Sequence, residues 1–154
     1  MNLDPSSRLE AKAEAANQPG RLVALDLGAR RVGLAVSDEL HITVNTLPFI
    51  ERRSWKDLLQ RVASVIEAYD ARGLVIGLPL ALDGSESNAA QEARRLAENF
   101  RRSLNVPVYL QDERLTSFEA GREMRAAGAK NEEIADRIDG EAAAIILRDF
   151  MARS

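Results

Sequence analysis

A chain of 154 residues, 45% hydrophobic and 29% charged, has the length and composition of one domain able to bury a core. The absence of cysteine excludes a disulfide framework and a thiolate metal site. No apolar run of about 18 residues offers a membrane span, and the first residues lack the apolar core of an export signal, so a cytoplasmic protein is expected.

The net charge of −3, from 24 acidic and 21 basic residues, lacks the footprint of a dedicated nucleic-acid binder. Arginine nevertheless dominates the basic residues. The pairs Arg30–Arg31 and Arg52–Arg53 fall in predicted loops, where guanidinium groups grip phosphate bidentately or simply face water.

Residues 1–20 hold only Leu3 and Leu9 as large aliphatics after the initiator Met and read as a disordered extension ending at Pro19–Gly20, leaving 21–154 as the domain. The apolar runs Leu22 to Leu27 and Val32 to Ser37 predict two buried strands joined by a tight turn opening at Gly28. Asp26 interrupts the first run, where an uncompensated ionised carboxylate costs several kcal/mol. A turn centred between Ala29 and Arg30 sets Asp26 opposite Gly33, which leaves space beside the carboxylate. The same register removes Asp38 roughly 16 Å from Asp26, which makes Asp38 a strand-end or turn residue.

A third, antiparallel strand is expected over His41 to Ile50, ended by Pro48 and the charged Glu51–Arg53, with His41 a surface loop residue. Ser54 then caps a helix whose apolar stripe is Trp55, Leu58, Leu59, Val62, Val65, Ile66 and Tyr69. After Gly73, Leu74 to Leu78 forms a short strand of the central parallel type. The stretch Pro79 to Asn88 reads as a functional or mobile loop, and Ser85 or Ser87 caps a helix burying Ala89, Ala93, Leu96, Ala97, Phe100 and Leu104. Val108 to Leu110 is the last strand and runs into Gln111-Asp112-Glu113-Arg114. Thr116 or Ser117 starts a helix closed at Gly128. A final helix from Asn131 carries Ile134, Ile138, Ala142, Ile145, Ile146 and Phe150 on its apolar face, with Asp139 just before Gly140.

This order implies an α/β fold: a five-stranded mixed sheet, antiparallel over three strands and then parallel through right-handed crossovers, with helices on both faces. Ligands gather where strand C-terminal ends meet. Asp26 and Glu113 lie at such ends, and Asp139 lies on a helix that can cover that edge. Three carboxylates from distant parts of a chain suit hard divalent cations, and two such ions activate water in phosphodiester hydrolysis. Plainer readings exist for the acidic residues beyond Asp26: Asp112 as a turn cap, Glu113 as a partner of Arg114, Asp139 as a helix cap.

Asp26-Leu-Gly-Ala-Arg-Arg-Val-Gly-Leu-Ala-Val-Ser-Asp38 resembles the opening signature of the YqgF family of Holliday-junction-resolvase-like, pre-16S ribosomal RNA nucleases. Three further blocks agree in order: Val75 to Leu80 with Gly84, Asp112 to Ser117 with Glu119–Ala120, and Asp139 followed by Ala142–Ala143. The resemblance covers about residues 21–152 and implies a ribonuclease-H-like fold and a metal-dependent endonuclease using Mg2+ or Mn2+. Carried over by position, Asp26, Glu113 and Asp139 become catalytic metal ligands, and Arg31, Arg114 and Thr116 hold phosphate or order the site. Asp112 becomes a candidate outer-shell carboxylate. Ser117, where the family usually has Thr, and Glu141, at a usually apolar position, depart from the pattern.

The implied substrate is a ribosomal RNA precursor, processed at the pre-16S end, with branched DNA as the alternative. Arg30, Ser85 and Asn88, on the turn and loop flanking the carboxylates, join the residues expected to hold the backbone. The Asp-Leu-Gly turn also resembles the phosphate loop of actin- and hexokinase-like ATPases, which need two such domains, and a non-catalytic nucleic-acid-binding module is a further alternative. The net negative charge predicts weak, salt-sensitive binding and a ribosome-associated partner that delivers the substrate; no membrane partner is expected, and a monomer or weak homodimer is.

Overall fold

The structure, a computed structural model, describes residues 19–81, 83–113 and 132–152. The expected extension lies outside the described residues up to position 18. So do Arg114, Thr116, Ser117 and the helix expected from there to Gly128.

Five strands are present: β1 (Leu22–Leu27), β2 (Arg31–Ser37), β3 (Val44–Glu51), β4 (Gly73–Leu78) and β5 (Val108–Asp112). Three helices accompany them: α1 (Trp55–Tyr69), α2 (Asn88–Ser103) and α3 (Glu132–Ala152). The sheet order is β3-β2-β1-β4-β5, antiparallel from β3 to β1 and parallel from β1 to β5. That is the mixed sheet the element order predicts.

Alternation along the strands sorts the core into two layers. Val23, Leu25, Leu74 and Ile76 face α1 and α2, where Leu58, Val62, Leu96 and Phe100 meet them. Leu22, Ala24, Ala35 and Val75 face α3, against Ala143, Ala144, Ile146, Leu147 and Phe150. The small Ala24 and Ala35 let α3 lie close across the sheet, from Thr46 of β3, which a Cβ on Gly140 would approach to 2.9 Å, to Tyr109 of β5, whose ring centroid lies 5.3 Å from that of Phe150. Gly140 therefore stays in a continuous helix because that crossing requires it, despite its poor propensity.

The caps follow the sequence. Ser54 accepts the Asp57 N–H at 3.1 Å and Ser87 accepts the Ala90 N–H at 3.3 Å. With Ser87 as the cap, the helix phase buries Ala90 and exposes Ala89, which the periodicity had placed inside. The third strand also begins later than expected, because Asp38 Oδ1 accepts the N–H groups of Ile42 and Thr43 at 2.6 and 3.0 Å and holds that stretch as a turn, with His41 in the left-handed region. At its other end β3 continues through Pro48 to Glu51. Leu34 pairs with Leu47 and Val32 with Ile50, so Gly33 faces both Pro48 and Phe49. A proline needs no ladder donor at such a bulge on an edge strand. Gly73, expected in the connection, is the first residue of β4 and pairs with Leu22.

Candidate active site

Asp26 pairs with Gly33, the register the turn predicts. Alternation from Leu22 and Ala24 turns the Asp26 side chain toward α3, and in β5 it turns Tyr109, Gln111 and Glu113 the same way. Leu25 pairs with Ile76 and Ile76 with Leu110, so Asp26, Gly77 and Gln111 form the next row across the sheet. With strands about 4.8 Å apart and about 3.3 Å per residue, the Cα atoms of Asp26 and Glu113 stand roughly 12 Å apart on one face.

Between the two carboxylates the sheet carries no side chain. A Cβ on Gly77 would lie 2.5 Å from Ile146 Cδ1, 3.1 Å from Ile146 Cγ1 and 3.7 Å from Glu113 Cγ. Glycine at that position seats α3 and leaves room for the glutamate. Glu113 extends the strand ladder one step beyond β5, its N–H donating to the Leu78 carbonyl at 3.0 Å. Asp26 is 7% exposed and Glu113 2%, so two carboxylates are buried at one end of one sheet face.

Asp139 lies on α3, one residue before the Gly140–Thr46 contact, and its side chain is outside the described residues. Among the described residues no group of three His, Cys, Asp or Glu side chains is placed to hold a metal ion. The remaining acidic candidates separate cleanly. Asp112 follows Leu110 in alternation, toward the α1–α2 layer, and Glu141 is on the exposed side of α3 in an ion pair with Arg148 at 3.1 Å. Asp38 belongs to its turn, as expected, and the Thr43 N–H, with that of Ile42, holds its carboxyl below the ordinary 3.8.

The turn and the loop beside the carboxylates carry the predicted phosphate-holding residues. Gly28 donates to the Arg31 carbonyl at 2.9 Å and closes the β1–β2 turn, with Arg30 exposed at its tip. The Arg31 guanidinium lies over the Phe49 ring, 4.8 Å from its centroid. In the β4–α2 loop, Ser85 is exposed, its N–H donating to Asp83 Oδ1 at 2.8 Å and its carbonyl accepting from Ala81. Asn88 is the exposed first residue of α2. Because β1, β4 and β5 run parallel, turn and loop emerge at the end of the sheet that carries Asp26 and Glu113.

Two residues escaped the sequence reading. Arg52, flagged only as half of a basic pair, donates from Nη1 to the Gly28 carbonyl at 3.0 Å and to Glu92 Oε1 at 2.6 Å, while its N–H donates to the Arg30 carbonyl at 2.8 Å. It clamps the turn onto α2. Gln111 is fully buried beside Glu113 with its Oε1 unpartnered, and the only signal was a polar residue two positions before Glu113.

A five-stranded mixed sheet in this order, with a helix crossing the face that holds the carboxylates, is a ribonuclease-H-like fold of the RuvC kind. A Thermus thermophilus RuvC in complex with Holliday junction substrate superposes with a TM-score of 0.52 at 15% identity, covering 87% of this chain and 95% of that one. A second T. thermophilus RuvC structure gives 0.50 at 14% identity, over 86% and 95%. Residues 20–153 match the RuvX family, described as Holliday junction resolvase, and the chain belongs to that family. Relatives named "Putative pre-16S rRNA nuclease" include one from Anaeromyxobacter sp. (strain K), 41% identical over 86% of this chain and 97% of its own length. Others are from Koribacter versatilis, 40% identical over 87% and 88%, and from Roseiflexus sp. (strain RS-1), 36% identical over 88% and 96%.

Proposed function

We propose that this chain is a metal-dependent endonuclease that hydrolyses phosphodiester bonds in structured nucleic acid, with the ribosomal RNA precursor as substrate. The observation that carries the reading is the burial of Asp26 and Glu113 on one glycine-floored face, at the sheet end where the turn and the β4–α2 loop emerge. Burying a carboxylate carries a desolvation cost, which makes two of them at one end of one sheet face a mark of function. The names of the relatives, matched over most of their length, support the same chemistry and RNA as its object.

The donor set suits Mg2+ or Mn2+, since both side chains offer hard oxygens from one buried end of the same sheet face. Asp26 and Glu113 would hold the ion, with Asp139 as the third carboxylate. When bound, the metal supplies an activated water and stabilises the leaving oxygen. The chain's own residues bind and orient the substrate: Arg30 and Arg31 on the turn, Ser85 and Asn88 on the loop, and Arg114 and Thr116 beyond Glu113 hold phosphate oxygens. Contacts of that kind read the shape of the backbone rather than its bases. The nuclease unit spans residues 21–154, works in the cytoplasm as a monomer or weak homodimer, and receives its RNA through a ribosome-associated partner.

The family description favours one second reading, resolution of branched DNA. Incubating the protein with a labelled pre-16S RNA end and a four-way DNA junction, each with Mg2+, Mn2+ or EDTA, separates the two. Metal-dependent cutting of the RNA alone supports the proposal; cutting of the junction alone replaces it. No cutting of either by the folded protein refutes the nuclease.

A further inference from the structure

A cavity adjoins the turn. It lies on the α1–α2 side of the sheet, measures about 380 Å³ and is lined by Arg52, Arg53, Trp55, Arg95 and Asn99, with Leu58 and Leu96 at its apolar floor. Trp55 is half-buried, in an edge-to-face pair with Phe100 whose ring centroids are 4.8 Å apart, and it also lines the cavity. Three guanidinium groups and an indole around a hollow of nucleotide size are the components with which proteins hold single-stranded nucleic acid, the base stacked on the ring and the phosphate on arginine.

The charges are arranged to be given up to a ligand. Arg52 is held by Glu92 and the Gly28 carbonyl. Arg53 and Arg95 are 61% and 70% exposed, in long pairs of 3.6 Å to Glu51 and 3.8 Å to Glu92. Exposed pairs of that length hold little, so a phosphate can displace them. Three arginines against two glutamates also leave the hollow with a net positive charge, in a chain whose overall charge is negative.

Its position gives it a role. β3 runs in the same direction as β1, so the start of α1 lies at the sheet end that carries Asp26 and Glu113. Arg52, which lines the cavity, is bonded to Gly28 and Arg30, two and four residues beyond Asp26. The β1–β2 turn that Arg52 holds thus connects the sheet end carrying the carboxylates with the cavity on the other side of the sheet. We infer that this cavity is a subsite for an unpaired flanking nucleotide of the nucleic-acid substrate, its base on Trp55 and its adjoining phosphates on Arg53 and Arg95. The inference rests on the nuclease reading, and its test does not require cleavage.

Trp55 is the only tryptophan of the chain, so its emission reports the cavity without ambiguity. The wild-type protein is titrated in EDTA with an unlabelled oligoadenylate of about twelve nucleotides, a length within the range such sites occupy. A labelled copy is followed in parallel by fluorescence anisotropy. Saturable quenching of Trp55 is expected, with the same midpoint as the anisotropy change. The Arg53→Ala/Arg95→Ala variant, altered only at exposed side chains and checked for folding by circular dichroism, should bind about tenfold more weakly. Its log–log salt slope should be shallower by about 1.4, the loss of two single-strand phosphate contacts. Binding with silent Trp55, or undiminished binding by the variant, overturns the subsite and leaves the nuclease standing. Absence of binding overturns the subsite as well, and cleavage of the precursor then decides the nuclease reading on its own.

Discussion

Replacing Gly77 with Ala tests how the helix that covers the carboxylates is seated. The added Cβ would stand 2.5 Å from Ile146 Cδ1 and 3.1 Å from Cγ1, in a core where Ile146 is fully buried. Overpacking of this kind costs about 1–3 kcal/mol, and the lower chain entropy of Ala offsets about 0.4–1 of that. A net loss of about 1–2 kcal/mol corresponds to a fall in Tm of roughly 2–8 °C for a domain of this size. Ile146→Val removes Cδ1, the nearest atom, and alone costs about 0.5–1.5 kcal/mol. In the double variant the two costs should fail to add, with a coupling of about 1 kcal/mol in favour of the pair, read by urea unfolding of all four proteins. Additive costs, or a Gly77→Ala protein as stable as wild type, would refute the seating of α3 on β4 at Gly77, in the row between Asp26 and Gln111.

Four other outcomes follow from the same geometry. Arg52→Ala removes the clamp between the Gly28 carbonyl and Glu92 and should cost about 1–2 kcal/mol in urea unfolding, with weaker substrate binding as the turn loosens. The Asp38 carboxyl is held below 3.8 by the Thr43 and Ile42 N–H groups, so its stabilisation is fully present above that pH and fades as pH falls through the lowered value. Wild type should therefore exceed Asp38→Asn in urea midpoint by a constant margin at neutral pH, a margin that closes on acidification below 3.8. Glu141→Ala breaks only an exposed pair with Arg148 and should change stability by less than about 0.5 kcal/mol, with cleavage unchanged. Chelation of divalent ions should stop cleavage without lowering the Tm by more than the metal's own binding contributes.

Much of the fold was legible because the signals were local. The Gly28 turn and two apolar runs determine the Asp26–Gly33 register, since a shift by one residue would turn every buried side chain of β1 outward. The stripe from Trp55 to Tyr69 and the hydroxyl caps at Ser54 and Ser87 identify α1 and α2 in the same way. The shared face of Asp26 and Glu113 needed only alternation along two strands joined through β4. What escaped depends on contacts between distant segments. The bulge opposite Gly33 comes from pairing with Pro48 and Phe49, and the late start of β3 comes from a single Asp38 carboxylate capturing two backbone donors. The role of Arg52 depends on the β1–β2 turn beneath it, and that of Gly77 within its predicted strand on α3 packed upon it, neither of which is local in sequence.

The proposed catalytic role of the buried Asp26 and Glu113 is tested most directly by cleavage. Cleavage of the labelled pre-16S RNA end in Mg2+ should be compared among wild type, Asp26→Asn and Glu113→Gln, with the thermal unfolding of each recorded alongside. Both variants should lose cutting while still unfolding in a single cooperative transition, since the amide keeps the shape of the carboxylate it replaces. Either variant cutting at the wild-type rate would contradict that role.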